Sequence, residues 1–197
     1  MLQKLLGFAK ILNEFQRVER VIRVKDNERF ENDVEHSYDL AMLSWYILTT
    51  METVLDRDRV IRYALIHDFL EVYAGDTYNF STDAAHVASK HEREAAAVIK
   101  LRETVSEFTE LHEAIDAYEK RDDAESRFVY ALDKIDPIIQ TYLDDGKIWK
   151  EKNITIEMVY ENKKDKVALS PEIKAYFDEF MMLLRKEEAS LFPPKKP

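Results

Sequence analysis

The stretch ALIHDFLEVYAGDT, residues 64–77, places His67, Asp68, Glu71 and Asp76 close together. Imidazole nitrogens and carboxylate oxygens are the strong donors that a chain without cysteine can offer a divalent ion, and a carboxylate can also take a proton. On one helix His67 and Glu71 share a face while Asp68 points about 100° away, so the three converge only on a pocket between helices. Partners must come from elsewhere. His36 stands at the start of another apolar segment, and Asp133 in FVYALDKID borders a stripe of Phe128, Val129, Leu132 and Ile135. A lone aspartate there is expensive to bury. Two imidazoles and two carboxylates from three helices would form an N2O2 set with positions left for water and substrate. Spacing alone leaves a plainer reading open, with His67 capping a neighbour, Asp68 in a surface ion pair and Asp133 facing solvent.

The elements that must position these residues read as helices. Gly is rare, most of the Pro sits in the tail FPPKKP, and few alternating Val/Ile/Thr runs are present, so hairpins have little material. Leu2, Leu5, Leu6, Ala9 and Leu12 recur at helical spacing, predicting one or two amphipathic helices over residues 2–22. Residues 34–54 carry apolar groups on several faces, including Tyr38, Leu40 and Trp45, and predict a central helix beside His36. Further helices are expected at 57–73 with Asp56 as cap, and at 84–104, 107–120 and 123–145. The last is expected to kink at Pro137 and end at Gly146. Ser170-Pro171 opens a final helix whose Met and aromatic residues suit a core or a homodimer interface. The expectation is an all-α bundle of about six to eight helices in one domain, residues 1–190, with a tail at 191–197.

Composition narrows the function. Asp+Glu 39 against Lys+Arg 29 gives net charge −10, which repels nucleic-acid backbones and anionic membranes. No long polynucleotide and no membrane is expected as partner. The absence of cysteine excludes thiolate ligands and disulfides and fits a reducing, cytoplasmic setting.

The ordered set VEHS, ALIHDFLEVYAGD and, about 65 residues later, ALDKID resembles the H…HD…D pattern of the HD-domain metal-dependent phosphohydrolases. HDFLEVYAGD further resembles the H-D-x-x-E-x-x-x-G-D element of the 5′-deoxynucleotidase branch. KHEREAA and AYEKRDDAESRFVYALDKID are similar to that branch too, with Glu119, Glu125 and Asp133 at matching positions. The likeness covers residues 10–145. It implies an HD-type fold, a divalent ion (Mn, Co, Mg, Fe, Ni or Zn) held by His36, His67, Asp68 and Asp133, and a nucleotide substrate. It also implies that Glu71 positions or activates the attacking water and that Asp76 lies near the sugar.

A phosphate dianion in an acidic protein needs local positive charge. RVERVIR offers Arg17, Arg20 and Arg23, and the resemblance puts Arg20, or else Arg17, on the substrate. Relatives usually carry a tryptophan shortly after this arginine that helps select deoxyribose. Here Val18, Val21 and Ile22 stand in that region, which implies weaker rejection of ribose unless Tyr78 or Phe80 of GDTYNF fills the space. His86 or His91 could add a second-metal ligand, and His112 reads as surface. The reading is a nucleoside 5′-monophosphate phosphohydrolase. Other HD activities (guanosine-tetraphosphate hydrolase, nucleoside triphosphohydrolase, cyclic-nucleotide phosphodiesterase) and a non-catalytic nucleotide-binding module are the alternatives.

Overall fold

The computed structural model describes residues 1–25, 29–77 and 84–194, with backbone only at 86–87. It is mainly α-helical with one small sheet among the described residues. Helix α1 spans Leu2–Phe15 and ends earlier than the apolar spacing predicts. The chain then turns and forms β1 (Glu19–Arg23), antiparallel to β2 (Phe30–Asn32) with Glu19 opposite Asn32 and Arg23 opposite Phe30. The expected helix over 16–22 is therefore wrong. Val18, Val21, Ile22 and Val24 are β-branched and stiff, and an extended partner outweighs the helical period.

Helix α2 (Asp33–Thr50) begins in a capping box: the Asn32 side chain accepts from the backbone of Val34 and Glu35, and the Glu35 side chain returns to the Asn32 amide. This fixes the first turn, which carries Asp33 and His36. Helix α3 (Arg57–Ile66) is capped by Asp56, as expected, but ends at Ile66 rather than at Tyr73. At 66–71 the amides of Phe69 and Glu71 reach back three residues, to Ile66 and Asp68, before the short α4 (Glu71–Ala74). His67 and Glu71 thus sit on a tight turn between two helices rather than on one helix.

The next expected helix is split into α5 (Ala84–Ala88) and α6 (Lys90–Thr104), followed by α7 (Thr109–Lys120). Helix α8 (Ala124–Leu143), capped by Asp123, continues through Pro137. It, rather than α2, is the hub of the fold: Phe128, Val129, Ala131, Leu132, Ile135 and Ile138 are all buried, and it packs against α2, α3, α10 and α11. Helix α2 buries Leu40, Ala41, Ile47 and Leu48 but exposes Tyr38, Trp45 and Tyr46. After α8 come α9 (Lys147–Glu151), α10 (Ile156–Val167), α11 (Pro171–Lys186) and α12 (Glu188–Leu191). Gly146 adopts φ +68°, and a Cβ there would lie 2.1 Å from the Leu191 carbonyl oxygen, so the turn after α8 requires glycine. Ser170 and Pro171 start α11, whose Phe177, Met181 and Leu184 join the main core. Among the described residues no helix is long and apolar enough to cross a membrane.

Candidate metal centre

His36 from the first turn of α2, His67 and Asp68 from the turn after α3, and Asp133 from the middle of α8 each bring one donor atom into a group whose members lie within 4.8 Å of one another. His36 Nε2 is 3.1 Å from Asp133 Oδ1 and 3.7 Å from Asp68 Oδ2. His67 Nε2 lies 3.0 Å from Asp68 Oδ2 and 3.8 Å from Asp133 Oδ1.

Each imidazole is oriented from behind. His36 Nδ1 is 2.9 Å from Asp136 Oδ2, and His67 Nδ1 is 2.9 Å from the Ala64 carbonyl oxygen. With Nδ1–H donated outward, both rings present Nε2 to the same spot, the arrangement that second-sphere acceptors impose on metal-ligating histidines. His67 Nε2 is buried and makes no well-aligned hydrogen bond among the described residues; with Nδ1–H donated backward, its lone pair faces Asp68 Oδ2 at 3.0 Å. Such an orphaned acceptor is costly unless something positive meets it. The N2O2 donor set suits a divalent transition ion, so the residues present fit one.

Electrostatics support this. Burial and Arg20 push His36 down, but hydrogen bonds to Asp133 and Asp136 outweigh them and carry it up to about 10. Burial would raise Asp68 and Asp133, yet His67 and Arg20 hold the first, and Lys134 and His36 the second, below the usual carboxylate range. The cluster is a sink for positive charge, which a proton or a cation can satisfy.

Glu71 lies beside it, grouped with Asp33 and Asp68. Its Oε2 is buried without a hydrogen-bond partner, and burial together with Asp68, Asp33 and Asp76 pushes its carboxyl well above the ordinary glutamate value. A carboxylate so raised is a better proton acceptor. Burial likewise raises Asp76, opposed by Arg20.

Arg20 projects from β1 into this group. Its Nη1 donates to Asp68 Oδ2 at 2.9 Å and approaches Asp33 Oδ1 at 3.4 Å, while Nε lies 3.3 Å from Glu31 Oε2. Burial disfavours the charge, but Asp68, Asp133, Asp76 and Asp33 hold the guanidinium firmly protonated. Arg17 is exposed on the turn before β1. The structure thus brings His36, His67, Asp68, Glu71, Asp76, Asp133 and Arg20 together and leaves Arg17 outside.

The centre opens into a pocket of about 480 Å³ whose wall includes Glu119, Tyr118, Tyr130, Lys134 and Lys166. His91 lines its rim but its side chain is 96% exposed. His112 is partly buried and bonded to the Val105 carbonyl rather than lying free on the surface. Tyr78 and Phe80, and the side chain of His86, lie outside the described residues.

Asp136, Asp33, Lys134 and Glu31 escape the sequence reading. Asp136 carried a usable signal, since it follows Asp133 by one helical turn and shares its face. Asp33 likewise precedes His36 by three residues in the acidic first turn of α2.

A helical fold that gathers two buried histidines, buried Asp133 and half-buried Asp68 around one point, each histidine backed by an acceptor, has a His/Asp cluster that could hold a metal ion. The family model for the HD domain matches residues 12–174, and the chain belongs to this HD-domain family. Among curated proteins it is similar to 5′-deoxynucleotidase HDDC2 of Bos taurus, 33% identical over 141 residues, covering 70% of this chain and 66% of that one. The Homo sapiens HDDC2 is 32% identical over 141 residues, covering 70% and 67%. The chain therefore spans about two thirds of the length of these relatives. A crystal structure of a predicted metal-dependent phosphohydrolase from Magnetospirillum magnetotacticum MS-1 superposes with TM-score 0.80 at 26% identity, covering 98% of both chains.

Proposed function

We propose that this protein hydrolyses the phosphomonoester of nucleoside 5′-monophosphates, releasing nucleoside and phosphate. The observation that carries this reading is the convergence of His36, His67, Asp68 and Asp133 on one point beside a Glu71 carboxylate that has no other partner. The HDDC2 relatives, named 5′-deoxynucleotidases, supply the substrate class.

In this reading the four residues hold a divalent cation, which supplies Lewis acidity, lowering the pKa of water and neutralising phosphate charge. Asp136 and the Ala64 carbonyl keep both imidazoles in the tautomer that leaves Nε2 free. Glu71 takes the proton of the water that attacks phosphorus in line with the departing 5′-oxygen. Arg20, fixed by Asp68, Asp33 and Glu31, orients the phosphate, and Asp76 stands at the sugar end. Val21 and Ile22, rather than a tryptophan, follow Arg20 on β1, so ribose is accepted together with deoxyribose.

A panel of ribo- and deoxyribonucleoside monophosphates assayed for phosphate release with Mn, Co, Mg, Fe, Ni and Zn tests both levels. Release from dAMP and AMP is expected. No release with any ion would refute the activity, and a deoxy preference beyond about 10³ would refute relaxed sugar choice, since a lost steric contact changes discrimination by only about 10- to 200-fold.

A further inference from the structure

Lys163, on α10, is 3% exposed and makes no hydrogen bond or ion pair with the described residues. Lysine is almost never buried to this degree without a partner, because a lone charge is costly to desolvate. The charged groups acting on it are Lys134, Asp133, Lys166 and Arg20, three of them cations. Burial and Lys134 push its ammonium down to about 7.

Two cations near Lys163 are committed. Arg20 is spent on Asp68, Asp33 and Glu31, and Lys134 donates to Asp133. Lys163 alone of these three has no carboxylate. It lines a small cavity of about 60 Å³ together with Arg20, Asp76 and Thr77, on the scale of one anionic group rather than a nucleobase. Arg20 in turn touches Asp68, so the cavity adjoins the metal centre.

We propose that Lys163 is a further substrate-binding residue, whose ammonium meets the phosphate oxygens of the nucleotide beside Arg20. Lysine serves phosphate as a point charge and needs no planar geometry. The proposal rests on the nucleotidase reading for the identity of its ligand and assigns to α10, within the family match at 12–174 but beyond the motifs at 10–145, a part in recognition.

The test is calorimetric titration of inorganic phosphate into the full chain, with and without added Mn²⁺, for wild type, Lys163→Met and Lys163→Arg. A charged hydrogen bond of this kind predicts phosphate affinity roughly 10- to 100-fold weaker in Lys163→Met and largely kept in Lys163→Arg. Deoxyadenosine, which lacks the phosphate, should bind both proteins alike. Because the side chain is buried and its ammonium makes no ion pair with the described residues, the ligand-free Tm of Lys163→Met should equal or exceed that of wild type. Equal phosphate affinity in wild type and Lys163→Met, no phosphate binding by wild type, or a clear fall in the ligand-free Tm would each overturn the proposal. The titration needs no turnover. A protein that binds phosphate through Lys163 but hydrolyses no nucleotide would sink the activity reading and leave Lys163 standing.

Discussion

Helix α8 borders two seams of opposite character. Against α2 and the turn after α3 it buries Asp133 and Asp136 beside His36, His67 and Asp68. Against α10 and α11 it meets an apolar seam, where Phe177 is 1% exposed and stacks on Tyr160 at 6.1 Å, and where Ile173 and Leu184 are fully buried. The first seam spends folding free energy, since each charge loses water and is repaid only through its neighbours. The second gains it from apolar area. Apart from Lys163, which α10 carries beside the second seam, the residues proposed for chemistry belong to the seam where burial is unfavourable and stability to the other, so damage to the apolar seam should leave the polar one working.

The largest separation should come from Glu71→Gln. The variant keeps the fold, the cation and substrate affinity, while kcat falls by about 10²- to 10⁴-fold, the usual worth of acid–base work. Steady-state kinetics beside a melting curve check this, and an unchanged kcat would return Glu71 to a structural role. Because burial raises its carboxyl, wild-type kcat should also climb with pH on a limb lying above the ordinary glutamate range, and that limb should vanish in the variant.

Phe177→Ala strikes the apolar seam. It should cost about 3 to 5 kcal/mol of stability in urea denaturation, the price of an aromatic-sized cavity, while kcat per folded molecule stays near wild type. Loss of activity in the fully folded variant would mean that the seams are coupled. Asp136→Asn probes the support behind His36 and should weaken metal affinity by about 10- to 100-fold with little change in kcat at saturating metal. The smallest effect is expected from Arg17→Ala, at most about twofold in kcat/KM, as for an exposed position away from the site. A loss comparable to that of Arg20→Ala would put Arg17 back on the substrate.

His36 and His67 stood out because the chain has 5 His, whereas Asp68, Asp133 and Glu71, among Asp+Glu 39, stood out only through the order of the HD pattern. The choice between Arg20 and Arg17 was not legible. It depends on whether RVERVIR is read at the helical or the strand period, and β2, which decides the matter, lies beyond a loop and shows only three strand residues. The helix expected over 57–73 failed at the residues that do the chemistry, where the chain tightens to aim His67, Asp68 and Glu71 inward. Lys163 was invisible because ENKKDKV reads as a solvated helix face, and only the packing of α10 on α8 buries it.

The central claim is that His36, His67, Asp68 and Asp133 act together as one cation site. Elemental analysis and calorimetric titration of Mn²⁺ into chelator-treated wild type and Asp68→Ala, each shown to be folded by circular dichroism, test it most directly. The account predicts that the wild type binds the ion and that Asp68→Ala neither retains nor rebinds it, losing activity with it. Wild-type metal content and affinity in a folded Asp68→Ala would contradict the assignment.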